Sequence, residues 1–284
     1  MRSRKTQTLY GLKHHPFQPD LPVEALWEPP CVQRFLSRAE ALVETGGFAL
    51  VTGEPGQGKS KVLQLLAQRL ELPGEVTVAV LERPQSRLTD FYRELGERFA
   101  VNLSAANRYG GFKALRARWR THIAETQQRP VLLLDECQEA PDDCLNELKV
   151  MSSHHFDSKS LLTVIFSGDL RFPQRLATRE LLPLGTRIRA RLNLEPWDRD
   201  ALADFLDHAL EQAGAPHLMT SELKATLCDH CAGNLRVLAN LAADLLALGA
   251  ERNLPRLDEN LYIEMTAPAA RPRPKRPAAA GREP

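Results

Sequence analysis

The eight residues Gly53-Glu54-Pro55-Gly56-Gln57-Gly58-Lys59-Ser60 follow the pattern G-x-x-x-x-G-K-S. Glycines at this spacing let backbone N–H groups turn inward around phosphate oxygens, and a helix starting behind them points its positive end at the same place. Lys59 then reaches the β- and γ-phosphates, and Ser60 can set its hydroxyl on Mg²⁺. All eight residues, with Lys61 behind them, are candidate nucleotide-binding residues, and the implied ligand is ATP with Mg²⁺. The pattern needs a strand before it and a helix after it. Phe48-Ala49-Leu50-Val51-Thr52 reads as a short buried strand, and Val62, Leu65, Leu66, Arg69 and Leu70 recur at helical spacing.

A second constellation lies downstream. Val131-Leu132-Leu133-Leu134 is an apolar run that ends in Asp135-Glu136. A buried strand would deliver both carboxylates to its C-terminal edge, where open α/β sheets bind ligands. Mg²⁺ prefers oxygen ligands and keeps several waters, so Asp135 would join Ser60 in holding it. Glu136 suits the polarisation of the water that attacks the γ-phosphate. Taken alone, the pair is equally an acidic loop capping a core strand. Beside the phosphate loop it reads as a hydrolytic pair.

Positioning these groups takes an alternating chain. Pro16, Pro19, Pro22, Pro29 and Pro30 punctuate the first forty-odd residues and break any long element. A helix over 31–44 stops at Gly46-Gly47 and precedes the phosphate-loop strand. Further strands are expected over 76–81, 131–134, 161–167 and 188–194, with helices over 88–99, 112–126 and 141–153 between them. Strands alternating with helices imply an α/β fold with a parallel sheet covered on both faces. After Pro196 four helical segments, 201–213, 220–231, 235–248 and 258–265, follow with no strand expected among them. The reading is an N-terminal Pro-rich segment and helix over 1–45, an α/β nucleotide-binding domain over 46–195, a helical domain over 196–266 and a basic tail over 267–284.

The bulk numbers bound this picture. The 284 residues are 43% hydrophobic with a formal net charge of +1, so no global field advertises a polyanionic partner. The tail from Ala267 carries five Arg/Lys against one Glu, a net +4, leaving the preceding 266 residues at −3. It is too poor in apolar residues to fold alone. No run approaches the length of a membrane span, and the N-terminus lacks the apolar core of a signal peptide. The expectation is a cytoplasmic protein with no membrane partner. Five cysteines suit reduced thiols. Cys228-Asp229-His230-Cys231 is half a zinc motif without a second pair, inside an apparent helix, and reads as packing. His14-His15 and His154-His155 also lack partners at ligand spacing.

These motifs carry a resemblance. Tyr10-Gly11-Leu12 followed by Pro16-Phe17, then Gly47-Phe48 with the phosphate loop, then Leu134-Asp135-Glu136-Cys137-Gln138, resemble ExeA-type AAA+ ATPases. So does Leu182-Pro183-Leu184-Gly185-Thr186-Arg187-Ile188. The resemblance covers residues 9 to 265. Tyr10 to Trp27, Asp90-Phe91-Tyr92-Arg93-Glu94-Leu95 and Gly110-Gly111-Phe112-Lys113-Ala114-Leu115 look like a subgroup accompanying DDE transposases, similar in role to the MuB, TniB and TnsC regulators. It implies a P-loop AAA+ parallel-sheet sandwich followed by a small all-helical lid. It also implies three further roles. Asp169, in Ser167-Gly168-Asp169, matches the polar residue at the fourth strand's tip, where it would orient water or an arginine. Arg187 is the best match to a subunit-bridging arginine, with Arg189 and Arg191 close behind. Those three are otherwise a solvated strand edge or a DNA-facing patch. Arg236, in Gly233-Asn234-Leu235-Arg236, matches the second sensor that touches the γ-phosphate.

On the helix from Phe112, Lys113, Arg116 and Arg120 line one stripe, with Arg108 just upstream. Such a row either follows phosphates or is simply solvated. With the resemblance it implies binding to double-stranded DNA. The leading expectation is an ATP-dependent regulator of DNA transposition that assembles as a homo-oligomeric ring or filament on target DNA, serves a DDE-type transposase, and disassembles on hydrolysis. The alternative is an ExeA-like ATPase of a secretion or envelope machine. Secretion-system ExeA proteins carry a transmembrane helix and a cell-wall-binding domain after the ATPase, and their absence from this sequence weighs toward the first expectation. A nucleotide switch that barely turns over is a third reading, which the intact Asp135-Glu136 pair disfavours.

Overall fold

The computed structural model describes residues 2–72, 74–82, 87–103, 105–155 and 158–267. The chain opens with α1 (Arg2–Tyr10) and α2 (Pro30–Thr45), then β1 (Gly47–Gly53), α3 (Lys59–Glu71) and β2 (Val78–Leu81). It continues through α4 (Leu88–Arg98), α5 (Arg108–Thr126), β3 (Val131–Leu134) and α6 (Asp142–Ser152). A short hairpin, β4 (Ser153–His154) and β5 (Lys159–Ser160), leads to β6 (Thr163–Gly168), α7 (Arg171–Leu176), α8 (Leu182–Gly185) and β7 (Ile188–Leu194). Four helices follow, α9 (Arg199–Gln212), α10 (Ser221–His230), α11 (Leu235–Glu251) and α12 (Glu259–Thr266).

Uninterrupted apolar runs become inner strands. Every residue of β1, β3 and β6 is buried, as expected where helices cover both faces of a parallel sheet. The strand order is β2-β3-β6-β1-β7, and all pairings are parallel. β7, at one edge, alternates buried Ala190, Leu192 and Leu194 with exposed Arg189, Arg191 and Asn193. The period-two alternation sorts the strand side chains into two layers. Phe48, Leu50, Leu132, Leu134 and Phe166 pack with the face built from α4, α5 and α6. Ala49, Val51, Leu133 and Ile165 pack with α2 and α3. α2 ends at Gly46, whose φ is +72°, and a Cβ there would stand 2.7 Å from Ser160 Cβ. Only glycine meets both demands.

The lid helices form a third core, centred on Leu206, Leu210, Leu223, Leu238, Leu245 and Leu246. The N-terminal stretch joins it. Leu12 and Phe17 are buried in that core, and the Lys13 N–H donates to Ala213 O over 3.0 Å. Within residues 2–45, α1 lies against α11, while α2 lies against the sheet. α1 itself was not expected. Its nine residues are polar apart from Leu9 and Tyr10 and carry no periodic apolar stripe, so packing supplies the helix that local pattern does not announce. The hairpin β4/β5 and the single bridge between Met219 and Leu257 were also unannounced. Among the described residues no helix is long and apolar enough to cross a membrane.

Candidate nucleotide-binding site

β1, β3 and β6 end side by side, because their parallel register pairs Leu81 with Leu134, Leu134 with Phe166, and Thr52 with Gly168. That edge holds the phosphate loop, the acidic pair and Ser167-Gly168-Asp169. Within the loop Gly56 and Gly58 take φ of +90° and +100°, left-handed angles that any other residue would adopt only under strain. α3 begins at Lys59 immediately after Gly58, so its free N–H groups and positive dipole end face the loop.

Lys59 is 7% exposed. Its Nζ donates to Gly53 O at 2.9 Å and Glu54 O at 3.2 Å, which leaves it curled under the loop. Burial pulls its pKa below the ordinary lysine value; the carboxylates of Glu136, Asp135 and Asp169 oppose that fall, and Arg236 adds to it. Asp135 receives three hydrogen bonds, from Ser60 Oγ at 2.6 Å, Ser167 Oγ at 2.7 Å and the Glu136 N–H at 2.9 Å. The Ser60 and Asp135 oxygens thus sit together as the hard donor pair that Mg²⁺ selects, and the residues present fit that ion. Glu136 has φ of +53°. A non-glycine residue held there stores about 1–3 kcal/mol of strain, a cost typical of functional turns. Its carboxylate accepts from Gln138 Nε2. Behind it the Cys137 thiol is fully buried, donates to Leu134 O, and has its pKa pushed up by that burial.

Other expected residues fall in different places. Asp169 is tied to an arginine: its Oδ1 accepts from the Arg171 N–H at 2.9 Å and its Oδ2 from Arg171 Nε at 2.7 Å. The same guanidinium reaches Glu139 at 2.8 Å. The strand-tip group that touches Asp135 is Ser167, which the motif contained but the reading passed over. Lys61 turns away from the loop, because Pro19 O draws its Nζ to 2.5 Å and Gln64 Oε1 to 3.0 Å. Arg187 precedes β7, whose Ile188 pairs with Phe48 at the start of β1. It therefore lies at the sheet edge opposite its own phosphate loop. Arg191 Nη2 caps α8 through Gly185 O at 3.0 Å.

The α5 row is less uniform than its spacing implies. Lys113 and Arg120 are exposed. Arg116 is half-buried, because the end of α6 abuts α5, and its guanidinium donates to Val150 O and Met151 O. The side chain of Arg108 and the tail beyond residue 267 lie outside the described residues. Among the described residues no cluster of three or more His, Cys, Asp and Glu is arranged to hold a metal ion by themselves. Cys228 and Cys231 belong to the lid core, with Cys231 Sγ donating to Cys228 O at 3.3 Å.

Sequence reasoning missed the upper half of the site. A cleft of about 730 Å³ opens above the loop. Its wall combines Phe17, Pro19 and Trp27 from the N-terminal segment with Trp197, Phe205 and His208 from the lid side. Trp27 meets Trp197 and Phe205 edge-on, with ring centroids 4.9 Å and 5.8 Å apart, each contact worth about 0.5–1.5 kcal/mol beyond area burial. His208 Nε2 stands 3.2 Å from Ala25 O. Arg236 lines the cleft, and its N–H bonds Gly56 O at 3.1 Å.

Known proteins share this build. A family described as "AAA domain" matches residues 42–176. A curated relative, general secretion pathway protein A of Aeromonas hydrophila, is 28% identical over 212 residues, 74% of this chain; the chain spans 38% of that protein's length. The Aeropyrum pernix ORC1 protein, solved in complex with DNA, superposes with a TM-score of 0.64 at 21% identity, covering 88% of this chain and 67% of that one. Domain III of the Thermotoga maritima replication initiation protein DnaA gives 0.60 at 18% identity, covering 88% of this chain and 96% of that one. Cdc6p from Pyrobaculum aerophilum gives 0.64 at 14% identity, covering 85% and 67%. The chain has the P-loop AAA+ fold, and the AAA domain match runs from the end of α2 to α7.

Proposed function

We propose that this protein binds and hydrolyses ATP and uses the cycle to move its helical lid. One observation carries the reading: Ser60, Asp135 and Glu136 converge beside the buried Lys59 while Arg236 from the lid lies on the same loop. The loop amides and Lys59 would hold the triphosphate. Ser60 and Asp135 would hold Mg²⁺, which when bound neutralises charge on the phosphates. Glu136 would orient and deprotonate the attacking water. Phosphoryl transfer asks mostly for such positioning. Arg187 is the residue best placed to act in a neighbouring subunit's site, because it sits on the far sheet edge. Phosphate release from Mg-ATP by the purified protein, with Glu136→Gln as the control, tests this; no turnover above that control would defeat it.

For the machine it serves, likeness to general secretion pathway protein A favours an ExeA-like ATPase working with a secretion assembly. A second reading, an ATP-timed regulator that assembles on duplex DNA and presents it to a transposase, draws on the surface at α5 and the β4/β5 hairpin. His154 stands opposite Lys159 in that hairpin, a like-charge pairing that costs stability when both are charged. Arg116, Arg120 and His155 bear on the same imidazole. Such a cluster suits phosphates, each contact releasing counterions. Duplex binding that falls steeply with salt and weakens on replacing Arg120 and Lys159 supports the second reading. A flat salt response removes it.

A further inference from the structure

Three successive carbonyls of the phosphate loop are held from the lid side. Asn234 Nδ2 donates to Pro55 O over 2.9 Å, the Arg236 N–H to Gly56 O over 3.1 Å, and Trp197 Nε1 to Gln57 O over 3.4 Å. The Trp197 N–H is bonded in turn to Gly233 O at 3.0 Å, so the three donors belong to one short unit at the mouth of α11. Asn234 serves two masters within it. Its Oδ1 caps α11, accepting from the Arg236 N–H at 3.0 Å and the Val237 N–H at 3.2 Å, while its Nδ2 grips the loop. A Cβ on Gly56 would stand 2.4 Å from Asn234 Oδ1 and 3.0 Å from Arg236 Cβ. The space above Gly56 is therefore filled by the lid, and glycine is required there by the contact as well as by its φ.

The consequence follows from peptide geometry. In a planar trans peptide the C=O and the next N–H point in opposite directions. Carbonyls of residues 55 and 57 drawn to the lid turn the N–H groups of Gly56 and Gly58 the other way, into the loop where an anion would sit, while the Gln57 N–H closes the turn onto Glu54 O at 3.4 Å. We propose that Asn234 is a positioning residue that joins the cap of α11 to the Pro55 carbonyl, making lid closure and the phosphate-ready shape of the loop one equilibrium. The proposal rests on reading the loop as a triphosphate site.

Asn234→Asp separates the two jobs. Aspartate caps a helix as well as asparagine, but it cannot donate to Pro55 O and sets a carboxylate against it. Expected for this variant are a melting temperature close to wild type, faster amide exchange over residues 54–59 in nucleotide-free protein, and about tenfold faster release of a fluorescent ADP analogue, equivalent to 1.4 kcal/mol. Asn234→Ala removes cap and grip together, so it should also melt lower. If Asn234→Asp exchanges and releases at wild-type rates while Asn234→Ala does not, Asn234 is only a cap and the proposal fails. Wild-type protein that takes up no nucleotide overturns the triphosphate reading instead. The two failures are distinct, because loop exchange is measured without nucleotide.

Discussion

The floor and the wall of the cleft are assembled in different ways. The floor is one uninterrupted stretch, Gly53 to Ser60, completed by the tips of β3 and β6, and it offers main-chain N–H groups, an ammonium and hard oxygens. The wall joins Trp27 to Trp197 and Phe205, residues that meet only because α1 and the following turn pack into the lid core. Phosphate recognition works through backbone angles and fixed charges, so it demands particular residues at particular spacings. Apolar recognition accepts any side chains that fill the volume. The floor should therefore fail sharply under single changes, and the wall should weaken by degrees.

The largest effect belongs to Glu136→Gln. Loss of a positioned base costs about 10²–10⁴ in turnover, while nucleotide affinity should stay near wild type because the loop and Lys59 are untouched. Parallel loss of affinity would mean that Glu136 shapes the floor rather than activating water. Lys59→Ala comes next. A buried charged hydrogen-bond donor contributes about 1.5–3 kcal/mol, so affinity for Mg-ATP, read by calorimetry, should fall about 100-fold at the upper end. A smaller loss for Lys59→Ala than for a wall substitution would invert the comparison.

Trp27→Ala tests the wall. It removes two edge-on aromatic contacts that together contribute about 1–3 kcal/mol to holding the N-terminal turn against the lid side, so the wall loosens and ATP affinity should fall, by less than in Lys59→Ala. Inorganic tripolyphosphate gives the sharper readout. It lacks the nucleoside, so its competition constant should move less than that of ATP in Trp27→Ala, whereas Lys59→Ala should weaken it as strongly as it weakens ATP. If tripolyphosphate binding falls along with ATP in Trp27→Ala, wall and floor are a single cooperative unit.

The same contrast explains what could be read from the amino acids alone. The inner strands were legible because each is a continuous apolar run, and the phosphate loop and acidic pair because their chemistry fixes their spacing. The lid helices were legible by period. Asn234 was available as an N-cap ahead of Leu235, but nothing local says that its amide also reaches Pro55, 179 positions away. Helix α1 has no apolar stripe to announce it. Lys61 and Arg116 were assigned by proximity in sequence and by helical phase. Phase tells which face a side chain occupies, not that the carbonyl of Pro19 or the end of α6 waits there to bind it. The ligand was therefore readable and its enclosure was not.

The smallest effect concerns the core layer packed by α6. Cys144, near the N-terminus of α6, is 1% exposed, and its pKa is raised from 9.0 to about 12, chiefly by burial and then by the charge of Asp143, a hydrogen bond with it, and the charge of Glu147. The folded protein thus keeps this thiol neutral where the unfolded chain would lose its proton. Below pH 9 both states hold the proton and the group adds no slope. Between about 9 and 12 the unfolded state binds fewer protons than the folded one, so the thiol's contribution to stability falls as pH rises through that window. Other groups titrate there too, and the informative quantity is the difference between wild type and Cys144→Ala. The variant should be less stable at neutral pH, because it leaves a small cavity, and should lose stability less steeply above pH 9. Parallel slopes would mean that the thiol ionises in the folded state, and that water reaches the core layer that holds Cys144.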